Sequence, residues 1–410
     1  MIQYLLKLSR QGALIFVLVS VALIQQLPIV KDLAYSEIRI LVYFLMLILI
    51  FRIPLSTIVY MKIPKVLQIY FLTMVFIIIQ LFVFRIIGGS IQLDSFSEPL
   101  VSLGILYASY SFVQKGAEID KIVSVYILLS TILSLSTALY YGPGIFIIPD
   151  RYFVAFKSGP TYAAMYASIL SFGRILKNIK NKSIDRKTRI INESFYLIII
   201  VLNFLAIIAI KSRSALIGTA IGIIILMFFF FKPTIKTILL LTVILIVILL
   251  TNLTGFTPIR DIFEETILSG FDRSSADSIL TGRLSLSQNA ILFISNNLSF
   301  GEMLGEKWYF NSRPHNYFLN KFVSLGLIGS IPFVFLYSIL AIYCIHNLIR
   351  LREQRILDSK DIGIVLLAVS FLLSTIEYTL PFGPGATQMI VWLLVGQYLR
   401  RQTNKVQRAG

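Results

Sequence analysis

The sequence predicts an all-α integral membrane protein with about twelve transmembrane helices. Composition, the spacing of long apolar runs and the placement of basic residues lead to this fold class. Of the 410 residues, 57% are hydrophobic and 14% are charged, and the mean hydropathy is +0.84. An average soluble domain has about 25% charged residues, so this chain lacks the polar residues needed to cover a water-soluble surface. A cytosolic enzyme is thereby excluded.

Long apolar runs give the individual helices, because crossing a bilayer takes about 20 mostly apolar residues. The runs are 11–30, 38–58, 66–86, 99–114, 121–141, 159–175, 194–210, 214–231, 236–252, 318–345, 362–380 and 385–400. The second is the weakest, because Arg52 and Pro54 interrupt it. The first follows Lys7 and Arg10, as in a signal peptide, but no small-residue cleavage pattern comes after it. We therefore expect an uncleaved first helix.

Basic residues predict the orientation. If the N-terminus is cytoplasmic, the inside segments hold 24 of the 37 lysines and arginines, as the positive-inside rule requires. Both termini are then cytoplasmic, and the net charge of +17 is mostly a topology signal rather than a sign of nucleic-acid binding. The single Cys344 excludes an internal disulfide, and the two histidines and scattered carboxylates have no metal-ligand spacing. We expect no metal and no cofactor.

One long external loop, 252–314, separates the ninth and tenth spans within a single membrane domain, 1–410. Loops of this length are usually functional. Apolar residues at helical spacing predict helices near 260–268 and 282–294, with Thr281 able to cap the second. Residues expected on the buried side of that second helix are Leu286, Ala290, Ile291, Phe293 and Ile294. The loop is predicted to be a helical cap on the membrane face; an unstructured tether is the alternative.

Cationic side chains dominate the predicted outer face. They are Arg151, Lys157, Lys211, Arg213, Arg283 and Arg313. Charges near membrane depth are functional candidates by default, and guanidinium groups pair bidentately with phosphate oxygens. Arginines that converge on one cavity would suit a diphosphate, although spacing alone does not establish convergence. The alternative is that Lys211 and Arg213, in a very tight turn, are helix-end bases that snorkel to the interface.

His315 is the best candidate for proton transfer, because neutral imidazole can accept a proton at physiological pH. It lies where the loop meets the tenth span, beside Asn316, which is able to hold the ring. A structural hydrogen-bonding role for His315 remains open. His346, at the cytoplasmic end of the same span, is expected to be solvated. Glu377, near the outer end of the eleventh span, is expected either to orient an arginine or to neutralise one.

The segment TGRLSLSQNAILFISNNLSFGEMLGEKWYFNSRPHNYFLNKFVSLGLIGS resembles the signature region of the O-antigen polymerase and O-antigen ligase superfamily (Wzy and WaaL types). The similar positions are Arg283, Asn296–Asn297, Gly301, Gly305, His315–Asn316, Gly326 and Gly329. KSRSALIGTAIG, with Arg213, and RYFVAFKSGPTYAA, with Arg151, resemble two further family segments. The chain departs from the family pattern at Val154, Thr161 and Leu298. The resemblance covers roughly residues 150–345.

The resemblance implies a GT-C-like, metal-independent glycosyltransferase of the bacterial inner membrane whose active site faces the periplasm. Its donor and acceptor would be undecaprenyl-diphosphate-linked glycans in the lipid bilayer, and a chain-length regulator is a further candidate partner. His315 would then activate the acceptor hydroxyl. Arg213, Arg283 and Arg151 would bind the diphosphate, with Lys211 and Arg313 as weaker candidates and Asn316 and Glu377 in support.

On these grounds we expect a polymerase of lipid-linked repeat units. The closest alternative is an O-antigen ligase, which transfers the finished glycan to lipid A core; the motifs do not separate the two. A lipid-linked oligosaccharide flippase is the rival from another class. It would need cations along the bundle interior, whereas the spans 194–210, 214–231 and 236–252 have none except Lys236 at the first position of the last.

Overall fold

The structure is a computed structural model in which every regular element is a helix among the residues it describes. The described residues are 10–51, 65–87, 93–112, 116–147, 158–180, 185–210, 212–230, 283–304, 307–308, 310, 313–354, 358–377, 380–382 and 386–409. Their α-helices are α1 (Arg10–Ile24), α2 (Pro28–Phe51), α3 (Lys65–Ile86), α4 (Leu93–Phe112), α5 (Gly116–Ile147), α6 (Ser158–Lys180), α7 (Arg186–Ala209), α8 (Arg213–Phe230), α9 (Arg283–Asn296), α10 (Tyr317–Gln354), α11 (Ser359–Leu373) and α12 (Ala386–Ala409). A single 3₁₀ turn, Gly301–Met303, follows α9.

The predicted all-α class is confirmed for these residues, and so is a multi-pass membrane protein. In the described part of the chain, four helical stretches are long and apolar enough to cross a bilayer: Gln68–Ile86, Glu118–Tyr140, Arg186–Ala209 and Tyr317–Arg352. Two shorter apolar helices are Gly12–Ile24 and Arg213–Phe228. The total of twelve spans remains a prediction, because the ninth span, 236–252, lies outside the described residues.

Some helix boundaries differ from the predicted ones. The run 11–30 is divided: α1 ends at Ile24, and α2 begins at Pro28. Proline favours a first helical turn because it has no N–H to leave unpaired. As a result α2 begins ten residues before the predicted start at 38. The eleventh span, predicted to reach residue 380, stops being helical at Leu373, and this early end is important for the site.

Helix α6 is central to the bundle and packs against α5, α7, α8, α11 and α12. Two glycines let α8 approach it closely: a Cβ at Gly218 would lie 2.3 Å from Met165 Sδ, and one at Gly222 would lie 2.4 Å from Ile169 Cδ1. Small residues four apart are a common means of close helix packing in membranes. The beginning of α8, at Arg213, is therefore held beside the beginning of α6.

One end of the bundle carries a cluster of ion pairs, which we call the charged end. Asp120 of α5 accepts from Arg174 of α6 at 3.0 Å and from Lys177 at 3.2 Å. Asp358, which caps α11, pairs with Lys177 at 3.4 Å, and Ser359 donates to Asp120 at 2.6 Å. These helix ends were all predicted to be cytoplasmic, and the structure brings them together. That they face the cytoplasm remains a prediction.

Helix α10 folds back on itself, which the prediction of one continuous span, 318–345, did not foresee. The break is at Gly326, whose φ of 65° and ψ of −173° are not helical. The Tyr317 and Tyr337 rings are stacked 5.9 Å apart, whereas twenty residues of continuous helix would separate them by about 30 Å. Residues 317–325, here called the half-helix, therefore run back alongside 327–337.

The loop after α9 braces this fold-back. Leu327 N donates to Leu298 O at 2.7 Å and Ile328 N donates to Ser299 O at 3.2 Å, which satisfies amides that the break at Gly326 releases. Gly301, with φ of 58°, packs directly on Gly326, where a Cβ on either residue would lie within 2.6 Å of backbone atoms of the other. This Gly301–Gly326 contact is the joint between the loop and α10.

Candidate functional site

The site lies at the end of the bundle opposite the charged end, where α6, α8 and α10 begin and α11 ends. Asn316 fixes the start of the half-helix: its Oδ1 accepts from Leu319 N at 3.1 Å, and its Nδ2 donates to Thr375 O at 3.1 Å. Tyr317 N donates to Ser374 O at 2.9 Å. The residues just after α11 therefore hold Asn316, which lies between His315 and the half-helix. Asn316 is thus an N-cap that positions the backbone beside His315.

His315 and Glu377 form the central pair of the site. His315 Nδ1 faces Glu377 Oε2 at 3.9 Å, and the two side chains are 36% and 11% exposed. Because Nδ1 is itself buried, the exposed part of the ring belongs to the other ring atoms, which include Nε2. A carboxylate at this distance from Nδ1 is placed to stabilise an imidazolium. The contact with His315 is one that the sequence did not predict for Glu377, and its role beside an arginine remains a prediction.

Tyr162 links this pair to α8. Its side chain is 2% exposed, and its hydroxyl lies 3.0 Å from Ser214 Oγ and within hydrogen-bonding range of the Glu377 carboxylate. Ser214 follows Arg213 directly, and Arg213 is half-buried with its Nη2 atom shielded from solvent. The tight turn predicted between the seventh and eighth spans is confirmed, since α7 ends at Ala209 and α8 begins at Arg213.

Arg313 lies in the loop and is held by an acidic partner. Its Nη1 donates to Glu302 Oε2 at 2.5 Å, and Glu302 Oε1 also accepts from Trp308 N at 2.9 Å. Trp308 in turn contacts the Phe293 ring of α9, with ring centroids 5.4 Å apart. This pairing ties the segment before His315 to the 3₁₀ turn, so the structure offers a structural role for Arg313 beside its predicted role in diphosphate binding.

Helix α9 corresponds to the second of the two helices predicted in the loop. Ala290 and Phe293 are buried with Val323 of the half-helix, and Ile294 packs against them. Leu286 is half-buried, but Ile291 was wrongly expected to be buried: it is 57% exposed, because the half-helix covers only a narrow face of α9. The predicted helix near 260–268 and the cap Thr281 lie outside the described residues.

Several predicted site residues lie outside the described part of the chain. They are Arg151, Lys157 and Lys211, and the loop from 252 to 282 also lies outside it. The backbone of Arg283 begins α9, but its side chain is not described. The convergence of the arginines therefore remains a prediction. His346 is exposed on α10, as expected.

Sequence reasoning missed two residues near the site. Tyr162 sits in an apolar run that gives no sign of a polar role. Lys321 is 3% exposed and its Nζ lies 4.7 Å from the Phe333 ring and 5.5 Å from the Tyr317 ring. It looked like an ordinary base near a helix end, and only the fold-back buries it between the two arms of α10. An ionisable residue at such a depth was the one available signal.

Together these features define a multi-pass helical membrane protein with a histidine–carboxylate pair at one end of its bundle. Residues 198–334, a third of the chain, match the family model described as O-antigen ligase (Wzy_C). The matched region includes Arg213, α9, the Gly301–Gly326 joint and His315. It confirms the resemblance to the O-antigen polymerase and O-antigen ligase superfamily. No curated protein matches the chain.

Proposed function

We propose that the protein transfers a glycan from a lipid-linked diphosphate donor to a sugar hydroxyl, and that it polymerises repeat units of a surface polysaccharide. The observation that carries the proposal is the pairing of the buried Glu377 with His315, which lies inside the region that matches the O-antigen ligase family. The donor would be an undecaprenyl-diphosphate-linked glycan at the outer face of the bacterial inner membrane.

In this mechanism His315 Nε2 removes the proton of the acceptor hydroxyl as that oxygen attacks the anomeric carbon. The attack comes from the face opposite the diphosphate, so the configuration inverts. Glu377 stabilises the imidazolium, and the C–O bond to the diphosphate breaks. Arg213, together with Arg283 and Arg151, stabilises the charge that develops on the leaving diphosphate, because fixed cations aimed at developing charge lower the barrier.

The position of the site favours a lipid-linked donor. The half-helix brings His315 beside the second arm of α10, near Tyr337 and about ten residues or ~15 Å from the break at Gly326. A polyprenyl diphosphate already lies in the bilayer and would present its diphosphate at the end of the bundle where His315 and Arg213 lie, whereas a hydrophilic nucleotide sugar has no such anchor. Irregular backbone in a membrane protein is tolerated where protein surrounds it or a cavity hydrates it.

The experiment is transfer by the purified protein in proteoliposomes, given the lipid-linked repeat unit isolated from the source strain. We expect longer lipid-linked glycans from the wild type. His315→Ala should lower turnover by roughly 10²–10⁴-fold, as expected for loss of a general base, and Arg213→Ala should abolish transfer at unchanged protein level. His346→Ala is the matched control. A His315→Ala protein that polymerises nearly normally would overturn the general-base role, and normal chain lengths from Arg213→Ala would remove its diphosphate role.

The ligase is the second candidate, favoured by the description of the matching family model. Surface and lipid-linked glycans from a strain that lacks the protein separate the two. Loss of ladders, with single repeat units still attached to the final acceptor, indicates the polymerase. Long polymer that accumulates on the undecaprenyl lipid indicates the ligase. Units trapped on the cytoplasmic leaflet would indicate the flippase instead.

A further inference from the structure

We propose that Tyr162 is a positioning residue of this site, which acts on His315 through the carboxylate of Glu377. The inference concerns the electrostatics of the His315–Glu377 pair, and it rests on the proposed function only for its effect on turnover. Tyr162 belongs to α6, whereas His315 lies two residues before the half-helix and Glu377 lies four residues after the end of α11. The phenol is thus the link between the central helix and the reacting pair.

The direction of the hydrogen bonds follows from the chemistry of the groups. An ionised carboxylate only accepts, so the single phenolic proton of Tyr162 is donated to Glu377. The Tyr162 oxygen is then left to accept from Ser214 Oγ, 3.0 Å away. Both hydroxyls are buried, where an unsatisfied donor or acceptor would cost about 1–3 kcal/mol. The result is a directed chain from Ser214 through Tyr162 to Glu377, ending beside His315.

This chain determines how strongly the carboxylate attracts a proton on His315. A donor on Glu377 disperses its negative charge and weakens its stabilisation of the imidazolium. Other charged groups belong to the elements around the pair in the described part of the chain: Arg213 begins α8, Lys321 is buried in the half-helix over the Tyr317 ring, and Arg313 of the loop is paired with Glu302. Tyr162→Phe removes one oxygen and leaves all of these charged groups in the protein, so it isolates the effect of the phenolic donor.

The structure supplies a matched control. Tyr166 lies one turn along the same face of α6, is equally buried, and bonds to Ser370 Oγ of α11 at 2.7 Å. Tyr166→Phe therefore removes the same atom from the same face of α6 without touching Glu377. Any effect of a lost hydroxyl on α6–α11 packing appears in both variants, whereas an effect transmitted through Glu377 appears only in Tyr162→Phe.

The test is an NMR titration that does not depend on activity. The chain has two histidines, so isotope-labelled histidine in a His346→Gln background gives one imidazole signal, from His315. We expect Tyr162→Phe to raise the midpoint of that titration by about 0.5–1 pH unit, and Tyr166→Phe to leave it in place. An unchanged midpoint in folded Tyr162→Phe, or equal shifts in both variants, overturns the proposal.

Two further measurements keep the inference independent of folding and of the proposed function. If Tyr162→Phe does not fold, Ser214→Ala weakens the same chain and should raise the midpoint by a smaller amount; no shift there overturns the proposal. In the transfer assay, the acidic limb of the pH–rate profile of Tyr162→Phe should move to higher pH by the same amount as the NMR midpoint. The alkaline plateau should remain. A shifted NMR midpoint in a protein that transfers no glycan would remove the proposed function while retaining the role of Tyr162.

Discussion

Replacing Gly326 by alanine should detach the loop from α10. At φ of 65° and ψ of −173° the backbone occupies a region that is essentially limited to glycine, and strain there costs of order 1–3 kcal/mol. An alanine Cβ would also lie 2.4 Å from Phe300 N and 2.5 Å from Gly301 N. These are backbone atoms, so no side-chain rotation relieves the overlap, and the loop itself has to move.

The movement breaks the two hydrogen bonds of the joint, from Leu327 N to Leu298 O and from Ile328 N to Ser299 O. Each contributes a net ~0.5–1.5 kcal/mol, so strain and lost bonds together amount to about 2–6 kcal/mol. Because the joint braces the loop against α10, we expect the loss to appear first as release of α9 and the 3₁₀ turn rather than as unfolding of the bundle.

Tryptophan fluorescence can separate these two outcomes. The chain has two tryptophans, so a Trp392→Phe background leaves Trp308, which packs on Phe293 of α9, as the single reporter of loop packing. Gly326→Ala should shift its emission to longer wavelength at temperatures where the bundle remains folded. Gly159→Ala is the control, since a Cβ there meets only the flexible carboxamide of Gln26 at 3.0 Å. An unchanged emission and unfolding midpoint in Gly326→Ala would refute the rigid joint.

Two other substitutions test contacts elsewhere. Asn203→Leu removes the buried amide that bonds Ser134 and Thr131 of α5 at 2.9 Å. An interhelical hydrogen bond in a membrane contributes about 0.6 kcal/mol, so thermal unfolding in detergent should show a free energy of unfolding lower by roughly 1–2 kcal/mol. A variant as stable as the wild type would contradict this. Glu302→Gln releases Arg313: if the guanidinium only braces the loop, Glu302→Gln and Arg313→Gln should reduce transfer equally, whereas a larger rise in donor KM for Arg313→Gln would establish its role in diphosphate binding.

Local sequence patterns could predict most helices but not the fold-back of α10. The apolar run 318–345 continues through Gly326 and has no charged residue after Lys321, so periodicity describes one long span. What breaks the helix is a contact with Gly301, twenty-five positions earlier, and its geometry depends on two backbones approaching closely. The resemblance marked both glycines without giving their purpose. The structure explains both glycines: because neither residue has a Cβ, the two backbones can approach each other closely.

In the candidate site, too, contacts between distant residues could not be predicted from local sequence patterns. His315 could be selected from its chemistry and its place at the end of a loop, but its partner Glu377 is more than sixty positions away. Pairing them requires knowing that α11 ends at Leu373 rather than near 380. Sequence hydropathy extends that span because Leu380 and its neighbours are apolar, yet Ser374 and Thr375 are where the chain leaves the helix and holds the half-helix. Tyr162 could not be selected at all, since a tyrosine in an apolar run usually has a structural role.

The early end of α11 and the fold-back of α10 depend on each other. Carbonyl groups at a helix end inside a membrane need donors, and here Ser374 O and Thr375 O receive them from Tyr317 N and the Asn316 side chain. The two truncated ends thus satisfy one another, and His315 and Glu377 are the residues that flank this contact. The chemistry of the site is therefore tied to the half-helix, whereas Arg213 is fixed independently by the glycine packing of α8 on α6. A displaced half-helix should accordingly impair proton transfer before it impairs donor binding, so in Gly326→Ala kcat should fall more than KM for the donor rises.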